Sequence, residues 1–305
     1  MGLPGEGLVR GLSRGQWFGV IAGAVAAVLV TGIFALRSSG AEAVEVLLEP
    51  VGSVGPLPFR AADSDVVTTV PADLRFDAAS GELVVAGTEP GLYGGSGQEV
   101  CDRDALIAFF AQDEAKAAAW AEVLGIEIDD IPSYLDGLTP AVLMADTWVT
   151  NHGYDEGTGQ ATPRQSVLQA GTAVLVDDQG VPRVRCRCGN PLTPAQIPAD
   201  RDNIDYQGDP WDDFDPDQVV AIEAGDTVTE LTMTDLTTGG RLAREVGTDG
   251  DADFALDDNG QRIQDITFTE PTVPPALSDD PHPHHPPPTP GHPRGYTPPR
   301  ASRQR

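Results

Sequence analysis

A run of twenty residues without a charge or a proline, Trp17–Leu36 (WFGVIAGAVAAVLVTGIFAL), constrains this chain more than any other feature. As a helix it would span roughly 30 Å, the thickness of a bilayer's hydrocarbon core. Its backbone polar groups would all be satisfied internally, as that medium demands. Arg10 and Arg14 precede it, whereas Arg37 is followed by Glu42, Glu45 and Glu49. This bias predicts a cytoplasmic N-terminus at 1–16, a signal-anchor helix at 17–36 and an exported remainder. Ala41-Glu42-Ala43 also has the small-x-small form of a signal-peptidase site. The apolar run exceeds the roughly 7–15 residues of a signal peptide's core, so a retained anchor is expected. Either way the rest of the chain should face outward, with the membrane as its first partner through Trp17–Leu36.

Charge narrows the partners. The net charge is -28 over 305 residues, and residues 38–280 hold 46 acidic against 12 basic side chains. Such a surface repels nucleic-acid phosphate and attracts cations and basic polymers. Nucleic acid is therefore not an expected partner.

Local signals suggest short elements. Ala43–Pro50 and Leu83–Val85 read as strands. Gly91–Gly97 (GLYGGSG) reads as a loop whose glycines permit positive φ or close approach. Asp102 and Asp113 sit where N-caps are needed, ahead of two helices carrying Phe109, Phe110 and Trp120, and Gly125 is placed to end the second. Ile131–Leu138 suggests a third helix. Thr139–Thr150 reads as a strand ended by a turn at Asn151–Tyr154. Thr162-Pro163-Arg164-Gln165 has the form of a helix start with a capping box. Ala173–Val176 and Val181–Arg187, joined by Asp177–Gly180, predict a hairpin. Gln218–Ala224, Glu230–Leu236 and Arg241–Val246 add further strands.

These signals predict an α+β class, short helices plus antiparallel hairpins in one extracytoplasmic domain at 44–246, preceded by a single transmembrane helix. A linker would occupy 37–43, an acidic extension 247–270 and a disordered Pro/His-rich tail 271–305.

Three cysteines are present, and outside the membrane two should be oxidised. A bridge from Cys101 to Cys186 or Cys188 would close a long loop and leave one thiol over. Arg185 and Arg187 would favour its thiolate, which opens a redox reading for Cys186 and Cys188. His152 is the candidate general base, with Asp146, Asp155 and Glu156 close in sequence. Asp249, Asp251 and Asp253 lack the glycine and glutamate of a calcium loop, so no metal site is expected. Trp211 and Phe214 lie among carboxylates, a setting for a sugar or a cation.

Several motifs then stand together: GLYGG at 91–95, TNHGY at 150–154, GTAVLVD at 171–177 and VPRVRCRCGNPL at 181–192. They resemble an actinobacterial domain of unknown function found as the outer part of membrane-anchored proteins. The resemblance implies an envelope location and no particular activity or cofactor. The candidate ligand-binding residues are Gly94, Gly95, Asn151, His152, Tyr154, Trp211 and Phe214. The expected function is a binding or interaction domain at the cell envelope, taking a cell-wall polymer or an envelope protein. The alternative is an envelope enzyme, either a His152-based hydrolase or a Cys186/Cys188 thiol-redox protein.

Overall fold

The computed structural model describes residues 43–61, 68–78, 83–95, 101–198 and 201–263. All of them fall in one compact unit that ends at Ile263. Trp17–Leu36, the linker up to residue 42 and the tail from 264 lie outside the described residues. Among the described residues, no helix is long and apolar enough to cross a membrane.

The expected α+β class is overturned. The described residues form mostly one mixed sheet of 14 strands, against which three short helices pack. The strands are β1 Val44–Glu49, β2 Val84–Ala86, β3 Tyr93–Gly95, β4 Thr139–Leu143, β5 Thr147–Asp155, β6 Gln160–Leu168 and β7 Ala173–Val176. They continue with β8 Pro182–Arg185, β9 Asn190–Pro194, β10 Ile204–Gln207, β11 Val220–Glu223, β12 Glu230–Asp235, β13 Arg241–Glu245 and β14 Phe254–Leu256. The helices are α1 Arg103–Phe110, α2 Glu114–Leu124 and α3 Ile131–Asp136.

The strand order is β10-β1-β6-β5-β9-β8-β7-β4-β3-β12-β13-β14, with β11 bridging β2 and β5. Antiparallel hairpins such as β7–β8 and β12–β13 were legible, but the pairs β1–β10, β1–β6, β2–β11, β5–β11 and β3–β12 are parallel. Parallel pairing needs long crossovers, which leave no local turn signal. β14 extends the sheet into the acidic stretch past residue 246 by pairing Ala243 with Phe254.

Two local readings fail for tertiary reasons. The helix expected from Thr162 is the strand β6, which pairs with all nine residues of β5. A capping-box sequence carries too little energy to outweigh such a ladder. Asn151–Tyr154, expected as a turn, lies inside β5. Gly153 serves close approach there: a Cβ would come within 2.7 Å of both Arg164 Nη2 and Leu57 Cβ.

The helix signals from Asp102 to Leu138 hold. Asp102 accepts from Ala105 N at 2.7 Å and Asp113 from Lys116 N at 3.1 Å. Gly125 ends α2 with φ 68°, a conformation that favours glycine. The buried Trp120 Nε1 donates to Gly189 O at 3.1 Å and so fixes α2 on the turn between β8 and β9. Cys101 at the start of α1 is bridged to Cys186 in the same turn, across 85 residues of chain. By the chain-entropy argument this closure contributes about 4 kcal/mol.

Candidate functional site

β6 is covered unequally along its two sides. β5 pairs with it over its whole length, from Asp155↔Gln160 to Thr147↔Leu168. On the other side β1 covers only Ser166–Leu168, then continues alongside β10 through Val44–Leu47. Among the described residues, no strand pairs with the outer side of Gln160–Gln165. An open groove of about 570 Å³ lies where β1 and β6 separate. Glu45 and Leu47 form one wall, and Thr162, Pro163, Arg164 and Gln165 form the other. Pro163 suits this edge because it has no N–H to offer a ladder. Gln165 is fixed in place: its Nε2 donates to Thr150 Oγ1 and its Oε1 accepts from Gln196 N, both at 2.9 Å.

Behind the groove is a buried polar chain. The Glu49 carboxylate pairs with the Arg185 guanidinium and accepts from Asn151 Nδ2 at 2.7 Å. Asn151 Oδ1 accepts from Asn190 Nδ2 at 3.0 Å, and Asn190 Oδ1 accepts from Phe59 N at 2.9 Å. Arg185 Nη2 donates to Ser53 O at 2.5 Å. Glu49, Arg185, Asn151 and Asn190 are all at most 1% exposed. Because each is hydrogen-bonded, the chain ties β1, β5, β8, β9 and the 50–59 connection into one rigid wall. Arg164 links this wall to the groove. Burial lowers its guanidinium below the usual value, while Glu49 and Cys188 oppose that shift.

The sequence-derived candidates do not converge on one cleft. The half-buried His152 ring has Thr193 Oγ1 at 2.9 Å from Nε2. Burial lowers its pKa, which leaves a neutral imidazole at pH 7. Its sequence-near carboxylates are engaged elsewhere. Asp146 accepts from Ala170 N and Trp211 Nε1, Asp155 from Gly157 N, and Glu156 pairs with Lys116. Tyr154 is buried, with the Lys116 ammonium 5.0 Å above its ring. Asn151 belongs to the buried chain described above. Trp211 and Phe214 pack on each other with centroids 5.0 Å apart, and Phe214 also packs on Tyr206. Burial raises the Asp146 carboxyl that receives the Trp211 N–H.

Gly94 and Gly95 are not in a loop but in the buried β3. A Cβ on Gly94 would meet Met144 Sδ at 2.6 Å, and one on Gly95 would meet Arg244 Nη2 at 3.0 Å. Their smallness is used for packing. Cys186 is the partner of Cys101, and Cys188 is a buried free thiol. Cys186 was expected inside the strand Val181–Arg187, but β8 ends at Arg185. Both cysteines lie in a tight turn closed by Gly189 N donating to Arg185 O at 3.0 Å. Burial pushes the Cys188 thiol up, more than Arg185 draws it down. Among the described residues no group of His, Cys, Asp and Glu could hold a metal ion.

A family model described as a domain of unknown function, DUF6777, matches residues 83–247. The chain belongs to this family. No curated protein and no solved structure matches the chain. The DUF6777 match runs from β2 to β13 and leaves out β1. Yet β1 supplies Glu49, the buried counter-ion of Arg185 in β8, and one wall of the groove. The DUF6777 fold in this chain is therefore completed by a strand from outside the matched residues.

Sequence reasoning missed Glu49, Asn190 and the groove face of β6. One signal was present: Glu49 ends the apolar run VEVLL, and a carboxylate there implies a buried base.

Proposed function

We propose that this is a single-pass membrane protein of an actinobacterial envelope, anchored by Trp17–Leu36, whose DUF6777 domain is an extracytoplasmic binding module. The module takes a cell-wall polymer or an envelope protein along the open side of β6. The observation that carries this reading is the groove between β1 and β6. It joins an uncovered strand edge to hydrogen-bonded side chains at Thr150 and Gln165 and to the guanidinium of Arg164, over a buried wall that cannot deform cheaply. Binding sites are characteristically preformed concavities with a few well-placed polar groups. The excess acid elsewhere on the surface repels anionic lipid and leaves neutral or cationic partners.

Two measurements test the reading. An alkaline phosphatase fused after Arg305 should be active in intact cells, and a fusion that is produced but inactive would refute the topology. The purified chain should retain cell-wall fragments or an envelope protein, and Arg164→Ala with Gln165→Ala should release them. Retention unaffected by both substitutions would remove the groove from the mechanism.

A further inference from the structure

We propose that the groove receives an extended polypeptide segment of another envelope protein, neutral or basic in charge, which joins the sheet as a strand alongside Gln160–Gln165. The proposal rests on the binding reading of the same site and names its ligand class.

The phase of the ladder supports strand addition. Tyr154 N donates to Leu57 O at 2.8 Å, so in the β5–β6 ladder its N–H turns away from β6. Its cross-strand partner Ala161 is then a non-hydrogen-bonded position, as are Pro163 and Gln165. Their backbone groups point outward, toward the groove. The same phase appears where β1 is still attached, since Gln169 N donates to Glu49 O at 3.2 Å. The alternation also explains why Pro163 is tolerated: the N–H it lacks would have faced the groove. What the edge offers an incoming strand is the N–H of Ala161 and Gln165 and the C=O of Ala161 and Pro163. Six strand residues give an open length of roughly 20 Å, enough for a short segment.

The chemistry favours polypeptide over glycan. Among the described residues, none lining the groove is aromatic, so a sugar ring would find no flat face there to stack on. The amide and hydroxyl side chains of Thr150, Thr162 and Gln165 suit the flanks of a strand, and main-chain pairing supplies affinity in β-augmentation. Glu45 in one wall is offset by Arg164 in the other, so selection against acidic segments comes from the surplus of acid over the rest of the domain.

The experiment selects phage-displayed random linear peptides on the purified full-length chain in detergent micelles, with soluble glycan strands as a second probe. Selected peptides should be poor in acid and proline. They should slow hydrogen exchange at the Ala161 and Gln165 amides. Gln165→Pro removes the groove-facing N–H, and Gln165→Ala removes the side chain alone. Gln165→Pro should bind the peptides roughly tenfold more weakly than Gln165→Ala. Thermal melting of both variants, and exchange at Val167 within β6, verify that the strand remains intact. Failure to select any peptide would overturn the proposal, as would equal affinity of the two variants. Glycan strands protecting β6 while peptides do not would remove strand addition and leave the binding reading standing. Protection of β6 by neither probe would remove both.

Discussion

Replacing Glu49 by Gln isolates the buried charge pair at the centre of the fold. Glu49 and Arg185 are 1% and 0% exposed, and the carboxylate is the only acidic group paired with that guanidinium in the described residues. The substitution keeps the size and one acceptor for Asn151 but removes the counter-charge. Arg185 retains its donation to Ser53 O and Pro50 O, so part of its desolvation remains offset. Breaking a buried pair by removing one partner costs about 3–5 kcal/mol. For a domain of this size each kcal/mol lowers the melting temperature by roughly 2–4 °C, so a fall of roughly 6–20 °C is expected. The double variant Glu49→Leu with Arg185→Met should recover most of that loss, because it leaves no isolated charge. Urea unfolding of wild type and of the two variants measures both quantities. A Glu49→Gln loss under about 1 kcal/mol, or a double variant no better than the single, would refute the assignment of this pair as the wall's electrostatic tie.

Other expectations are as direct. His152 has a depressed folded pKa, so folding resists its protonation. Stability should be full above the ordinary imidazole value of about 6.5 and should decline as pH falls toward the folded value. His152→Gln should flatten that limb of a melting-temperature profile, and an unchanged slope would contradict a half-buried ring whose protonation folding resists. The native chain should give almost no reaction with a thiol reagent, one thiol per chain after unfolding, and three after unfolding with reductant. Fast native labelling would show Cys188 to be accessible. Cys101→Ala should cost about 4 kcal/mol in chemical denaturation. Gly153→Ala should cost about 1–3 kcal/mol, since the added methyl meets both Arg164 and Leu57.

How much could be read in advance depended on how local the cause was. The caps at Asp102, Asp113 and Gly125 were legible because a helix terminus is decided within four residues. The β7–β8 hairpin was legible because its turn is continuous in sequence. The Cys101 bridge was narrowed to two partners, and the choice of Cys186 depended on how the turn at Cys186–Gly189 folds. The fold class was missed because strands such as β1 and β11 find their partners through crossovers. Thr162–Gln165 misled because its polar residues satisfy a capping pattern, while its role as a strand comes from the facing β5. The site was obscured for the same reason. Apart from Pro163, neither wall of the groove is marked by an unusual residue; the groove exists because two strands part company.

The placement of β1 has a consequence for biogenesis. Val44 pairs with Ile204, some 160 positions later, and also depends on Ser166–Leu168 for its other neighbour. At a synthesis rate of about 5–20 residues per second, β1 waits roughly 10–30 s for β10 to exist. During that interval VEVLLE is an unsatisfied template for wrong pairings, so maturation should be late, cooperative and dependent on a holdase rather than piecemeal.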